Sequence, residues 1–315
     1  MNLLGHDLPW KDWSEARGGS RMHHGWILAG RRGLGKMHFA MQAARQLVAE
    51  PGIPQPEDQH PDIILLTHLP KDDKEERKRD DGKPFELKRN ISIAQIRQMQ
   101  QRLTTRPTLG SRRAIIIDPA DDLEKGAANA LLKSLEEPPQ GTFFLLVAHR
   151  PAQLLPTIRS RCRVLRFPTL DEQTMRRFLA AQASHVDEAT REAALAAAQG
   201  SPGIALDFVE RDLAPVDRLM RDIVASGDRD FALRGKLAQA IGSRPDRARM
   251  QAALDLSRSV LGQHLDDAAG SRVPKIAEAH AELVRLARQA PTYNFDPGLL
   301  AMEIGGLLAS TAPSN

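Results

Sequence analysis

Through the first half of the chain, short apolar runs alternate with segments of helical periodicity; in the second half only the helical period remains. A short unbroken apolar run bounded by turn formers fits a strand buried on both faces. Such runs predict strands at Gly25–Ala29, Ile63–Leu66, Ala114–Ile117, Thr142–Ala148 and Val164–Phe167. Apolar residues at helical spacing predict helices over Lys36–Ala49 and Ile93–Leu103, the second opened by Ser92 and Gln95 as a capping box. This alternation is the habit of a parallel α/β sheet, which gathers ligands at the carboxyl ends of its strands. Two stretches follow neither period. Pro51–Pro61 is proline-rich and polar. Lys71–Asn90 is densely charged with its signs nearly balanced, so it is predicted to be a solvated, mobile loop, contact with nucleic acid being the other reading.

After Pro168 the pattern changes. Helices are predicted at Asp171–Ala183 and Asp187–Gln199, then a turn at Gly200-Ser201-Pro202-Gly203, then a helix from Ile204. Beyond Arg211 the chain reads as helices broken near Gly227, Gly242, Gly270 and Pro291, with no internal repeat. A length of 315 residues exceeds one typical core. The expected domains are therefore 1–168 (α/β), 169–210 (three small helices) and 211–315 (all helical).

Composition narrows the class. No stretch is apolar for long enough to span a bilayer, and the start lacks a signal-peptide core. The single cysteine, Cys162, excludes an internal disulfide framework and a thiolate-rich zinc site. A soluble cytoplasmic protein is the expectation. A net charge of +4 leans only weakly toward nucleic acid or acidic partners, because no basic block dominates.

The run Gly30-Arg31-Arg32-Gly33-Leu34-Gly35-Lys36-Met37 fits the phosphate-binding loop G-x-x-x-x-G-K-[ST] except at its last position. In a working loop the backbone amides wrap phosphates, the lysine neutralises them, and the hydroxyl holds Mg²⁺. A thioether is a poor ligand for a hard cation. The strand ending Ile115-Ile116-Ile117-Asp118 has the form of a Walker B element, but the neighbouring place for a base is Pro119. Asp121 and Asp122 are predicted to start the next helix and to point elsewhere.

Two further segments, Asn129-Ala130-Leu131-Leu132-Lys133-Ser134-Leu135-Glu136-Glu137-Pro138-Pro139 and Leu155-Pro156-Thr157-Ile158-Arg159-Ser160-Arg161-Cys162, carry a specific resemblance. They are similar to the clamp-loader branch of the AAA+ ATPases, which open and load the sliding clamp of a replicative polymerase. The resemblance covers nearly the whole chain. It implies an α/β AAA+ P-loop domain (a parallel sheet flanked by helices), then a small helical lid and an all-α C-terminal collar. Gly30, Gly33, Gly35 and Lys36 match the Walker A loop and Asp118 the Walker B aspartate. Arg161, between Ser160 and Cys162, matches the arginine finger offered to ATP on a neighbouring subunit. The implied partners are the loader's ATPase subunits and its delta subunit in a hetero-oligomeric ring. The sliding clamp and primer–template DNA are reached through the assembly, and no membrane is involved.

Departures from the family pattern point away from hydrolysis. Met37 replaces the hydroxyl residue and Pro119 the glutamate. The polar sensor falls among Val147, Ala148 and His149, and the lid arginine falls at Gly203. Many relatives carry a cysteine-rich zinc module, whereas Glu50–His60 holds no cysteine, so no zinc is expected and no cofactor is required. The intact glycines and Lys36 leave weak ATP or ADP binding open; the bland reading of Lys36 is a cation kept beside amide dipoles. Arg161 alone also reads as a surface arginine near a helix end. Cys162 reads as a small buried residue, and His23, His24 and His149 lack metal-ligand spacing. Arg106, Arg112 and Arg113 read either as contacts to DNA phosphates or as plain surface charge. Two other functions stay in view: an active AAA+ loader ATPase, and a repair or recombination adaptor built on a dead P-loop domain.

Overall fold

The computed structural model describes residues 5–19, 22–56, 58–266, 270, 272–290 and 295–313. The chain divides into two compact units, 1–169 and 170–315. The first runs α1 (Asp7–Gly18), β1 (Gly25–Ala29), α2 (Lys36–Val48), β2 (Ile63–Leu66), α3 (Asp73–Asp80), α4 (Ile93–Leu103), β3 (Arg113–Ile117), α5 (Lys125–Glu136), β4 (Thr142–Ala148), α6 (Pro156–Arg159) and β5 (Arg163–Arg166). The five strands form one sheet in the order β2-β3-β4-β1-β5, with every pairing parallel.

Side chains alternate across this sheet with period two, which fixes two separate cores. Ile27, Ala29, Ile115, Ile117, Phe144, Leu146 and Ala148 face one side with Ile96 and Met99 of α4 and Leu131 and Leu135 of α5. Leu28, Ala114, Ile116, Leu145 and Val147 face the other with Trp13 of α1 and Phe39, Ala43 and Leu47 of α2. Both faces being covered explains why the strands read as unbroken apolar runs. The capping box at Ser92 and Gln95 is formed as predicted.

Two elements in this unit lie outside the sequence expectations. The N-terminal α1 carries Trp13, fully buried edge-on against Trp26 at 5.4 Å between ring centroids. The charged stretch 71–90 is not a plain loop, because α3 lies within it. Asp72 caps the amides of Lys74 and Glu75, the first turn is acidic and the last basic, and Lys78 pairs with Glu75 at 2.7 Å. Glu75 also accepts the amide of Glu86 at 2.7 Å, tying the excursion's two limbs together. Charge pairing along the helix and its dipole does the ordering that an apolar face does elsewhere.

The second unit is entirely helical among the described residues: α7 (Glu172–Gln182), α8 (Glu188–Ala198), α9 (Pro202–Glu210), α10 (Ala214–Ser226), α11 (Ala232–Ile241), α12 (Arg247–Asp266), α13 (Val273–Gln289) and α14 (Pro297–Ala309). Helices α7, α8 and α9 pack on one another, and α8 also touches α10 and α12. One apolar core runs from Met175 of α7 to Leu308 of α14. The break predicted near Pro291 lies outside the described residues. In α14, Leu300 and Ile304 are buried in the unit's own core with Leu308, Leu307 packs partly buried against it, and Leu299 is 72% exposed. Residues 300, 304 and 308 share one side of a helix, and residue 299 does not.

Candidate functional site

The phosphate loop leaves the carboxyl end of β1 and its backbone needs its glycines. Gly33 and Gly35 have φ of 79° and 73°, in the left-handed region that L side chains rarely adopt. A Cβ on Gly30 would lie 2.6 Å from the carbonyl oxygen of Phe167. Buried His6 donates from Nε2 to the carbonyl of Leu34 at 2.5 Å, so α1's leading end braces the loop. Sequence reasoning did not single out this histidine.

Within this loop the lysine is turned inward. Lys36 is 3% exposed, and its Nζ donates to the carbonyls of Gly30 at 2.7 Å and Arg31 at 2.6 Å. Burial lowers its pKa to about 8, against the opposing pull of Asp118 and Asp121. Met37 packs against the core beneath α2, so the position that would hold a hydroxyl serves packing instead. Asp118 follows β3 directly, its acidity weakened by burial and partly restored by Lys36.

Asp121 and Asp122 correct the sequence expectation. They lie in a 3₁₀ turn at Ala120–Asp122 and fold back toward the strand ends. Asp121 accepts the amides of His149 at 2.5 Å and Arg150 at 3.1 Å, pinning the end of β4. Asp122 lies 3.2 Å from His68 Nε2. His149, which follows β4 directly, has its pKa lowered to about 4 by burial, with Lys36 and Arg32 nearby. Its Nδ1 is buried without a hydrogen-bond partner. Gly203 lies in the second unit, as the second residue of α9.

These residues do not fit Mg²⁺·ATP chemistry. The hydroxyl ligand is a thioether, the base position is a proline ring, and the lysine's donors are directed to its own loop. Among the described residues no group of three His, Cys, Asp or Glu is placed to hold a metal ion. The stretch Glu50–His60 is tied by other means. Arg45 donates to the carbonyls of Pro56 at 3.0 Å and Asp58 at 2.9 Å, and His60 Nε2 lies 2.7 Å from Gln55 Oε1.

Arg161 sits at the opposite end of the same strand. It follows α6 and precedes β5, and its carbonyl would lie 3.2 Å from a Cβ on Gly25, the first residue of β1. A strand of five residues therefore separates it from the phosphate loop, a span of about 13 Å. Its Nη2 pairs with Glu136 at 2.7 Å and its Nη1 donates to the carbonyl of Thr157 at 3.0 Å. Ser160 donates to that same carbonyl at 3.1 Å. Cys162 packs against the α4/α5 core, and burial pushes its thiol up to about 12. His24 lies nearby, its Nε2 donating to the carbonyl of Leu135 at 2.8 Å. Glu136 and His24 belong to this end of the sheet, yet nothing in their spacing announced it.

Arg113 is not a surface cation. It is 4% exposed and donates to the carbonyls of Arg102, Thr105 and Arg106. Arg112 is exposed and lies over the ring of Phe143, 5.9 Å from its centroid.

A sequence model of the family described as "DNA polymerase III, delta subunit" matches residues 5–171, just over half of the chain. The chain belongs to that family. Among the family's relatives, the delta-prime subunit of Pseudomonas aeruginosa is 32% identical over 168 residues, 49% of this chain and 46% of its own. That of Escherichia coli is 36% identical over 129 residues, 41% and 38% of the two chains. The tau/gamma subunit of Haemophilus influenzae is 28% identical over 217 residues, 66% and 30%. The matches thus span less than half the length of these relatives. A Thermotoga maritima protein described as related to the DNA polymerase III gamma subunit shares the fold, with a TM-score of 0.53, 18% identity and 96% and 99% of the two chains covered.

Proposed function

We propose that this chain acts as the delta-prime subunit of a DNA polymerase III clamp loader and hydrolyses no ATP itself. The observation that supports this reading is that the phosphate loop and Arg161 lie at opposite ends of β1. The phosphate loop has lost its magnesium ligand and base, while Arg161 stands too far away to serve that loop. An arginine so placed is useful to nucleotide bound by another subunit. Its planar guanidinium can meet two phosphoryl oxygens and offset charge in the transition state. A finger given in trans is worth roughly 10³ to 10⁵ in rate, about 4 to 7 kcal/mol of barrier.

On this reading the partners are the loader's ATPase subunits and delta subunit in a ring, with the sliding clamp and primer–template DNA reached through the assembly. The helices after Thr169 divide into a lid, 169–210, and a collar, 211–315, that joins the ring. No cofactor is required and no zinc is expected, and any ATP or ADP held by the amide cradle is held weakly. The chain works in the cytoplasm; no described helix is long and apolar enough to cross a membrane. Lacking a nucleotide cycle, it serves as a stator against which the other subunits move.

The test has two arms. The isolated chain with Mg²⁺ and ATP should show no turnover above background, and brisk hydrolysis would make it an active ATPase. A loader reconstituted with Arg161→Ala should lose most hydrolysis at the adjacent site, and unchanged turnover there would remove the finger. Failure to co-purify with loader ATPase subunits would instead favour a repair adaptor.

A further inference from the structure

Glu136, at the end of a separate helix, forms an ion pair with Arg161 at 2.7 Å. Glu136 is the last residue of α5, and Arg161 lies 25 residues on, past β4 and α6. The end of α5 is fixed by buried Leu135 and by His24, which donates to Leu135's carbonyl at 2.8 Å. The guanidinium therefore bridges two anchored groups, the Glu136 carboxylate at 2.7 Å and the Thr157 carbonyl of α6 at 3.0 Å. A pair with side chains 35% and 48% exposed contributes little to folding. The same weak bond is enough to bias a long flexible side chain toward one rotamer by about fivefold.

The donor count shows what the cradle leaves over. A guanidinium has five N–H groups. Thr157 takes one from Nη1, whose other contact is Ser160 Oγ at 3.4 Å, while the Glu136 carboxylate holds Nη2 as an ion pair at 2.7 Å. Nε–H takes no part in these contacts and stays available to an oxygen of a phosphoryl group. We propose that Glu136 is a positioning residue, which aims the Arg161 guanidinium outward at nucleotide on the neighbouring subunit by holding its inner edge. This rests on reading Arg161 as the group lent to that nucleotide. The Leu135-Glu136-Glu137 end of one motif and the Ser160-Arg161-Cys162 turn of the other then form one device.

The experiment is steady-state hydrolysis by the reconstituted loader with DNA and clamp present, resolved into kcat and the KM for ATP. Glu136→Ala should lower kcat about three- to tenfold with KM little changed, because a freed arginine keeps its charge but loses its aim. Glu136→Gln keeps an accepting oxygen and should stay within about twofold of the parent. In an Arg161→Ala background, Glu136→Ala should add nothing. If Glu136→Ala leaves kcat at the parent level or raises it while Arg161→Ala lowers it, the positioning role is overturned and the finger stands. An equal fall from Glu136→Ala in both backgrounds also overturns it, since the carboxylate would then act elsewhere. If Arg161→Ala itself changes nothing, the finger falls and this inference falls with it.

Discussion

The ammonium of Lys36 donates to the carbonyl of Gly30 at 2.7 Å, inside the loop that both residues define. Turning inward satisfies the lysine's hydrogen bonds but leaves a cation in a poorly solvated place, which burial alone disfavours. Its pKa, lowered from 10.5 to about 8, makes the cost visible through pH. Between those values the unfolded chain binds more protons than the folded one, so stability rises with pH across that window. Below pH 8 both states are protonated and the full cost remains. Relative to Lys36→Met, the parent should gain about 2 kcal/mol of unfolding free energy between pH 7 and pH 10. Urea titrations of both chains at each pH check this, and parallel curves would contradict it.

Asp62 provides a second prediction, about the arginine that sequence alone left between DNA and solvent. Its fully buried carboxylate accepts the amides of Thr108 at 2.6 Å and Leu109 at 2.7 Å, with Arg113 Nη2 3.7 Å away. The three groups close the loop leading into β3 and so set the register of the strand that leads to Asp118. Asp62→Ala strands a buried guanidinium and two amides and should cost about 3 kcal/mol. A lower urea midpoint with an unchanged slope is the expected result.

How far the sequence was legible depended on the range of the forces involved. The strands, the glycine loop and the Ser92–Gln95 capping box are local patterns, and each is found within a residue of where the sequence predicts it, β5 running Arg163–Arg166 rather than Val164–Phe167. Helix α3 has no apolar face, so hydrophobic periodicity could not show it. Its signal was instead the order of charges from Asp72 to Arg79, acid first and base last. Asp121 was misread because its partners, the amides of His149 and Arg150, arrive from another strand. The contact between Glu136 and Arg161 is likewise tertiary. Both motifs could be read, but not their meeting.

Cys162 gives a chemical prediction. A thiol reacts as its thiolate, and burial raises this one to about 12, so very little thiolate exists at pH 8. Native protein should react with iodoacetamide far more slowly than urea-unfolded protein, by about a hundredfold or more on thiolate fraction alone. Mass spectrometry of timed samples measures the ratio. Equal rates would mean that the turn beside Arg161 opens freely, and with it the cradle at Glu136.

Adjacent glycines in α14 should respond to alanine with opposite signs. A Cβ on Gly305 would sit 2.5 Å from Cγ of Arg234, whereas one on Gly306 would find Nη1 of that arginine at 3.5 Å, an ordinary contact. Arg234 cannot swing aside cheaply. Its Nε donates to Asp228 at 2.7 Å, its Nη2 to Asp228's carbonyl at 2.8 Å, and its guanidinium lies 4.0 Å from the centre of the Phe231 ring. Gly→Ala inside a helix normally gains up to about 1 kcal/mol. Gly306→Ala should keep that gain. In Gly305→Ala the overpacking outweighs it, for a net loss of about 1 to 2 kcal/mol. Pairing Gly305→Ala with Arg234→Ala removes the obstruction, so the same alanine should then stabilise relative to Arg234→Ala alone, a reversal that thermal unfolding of the four variants would register.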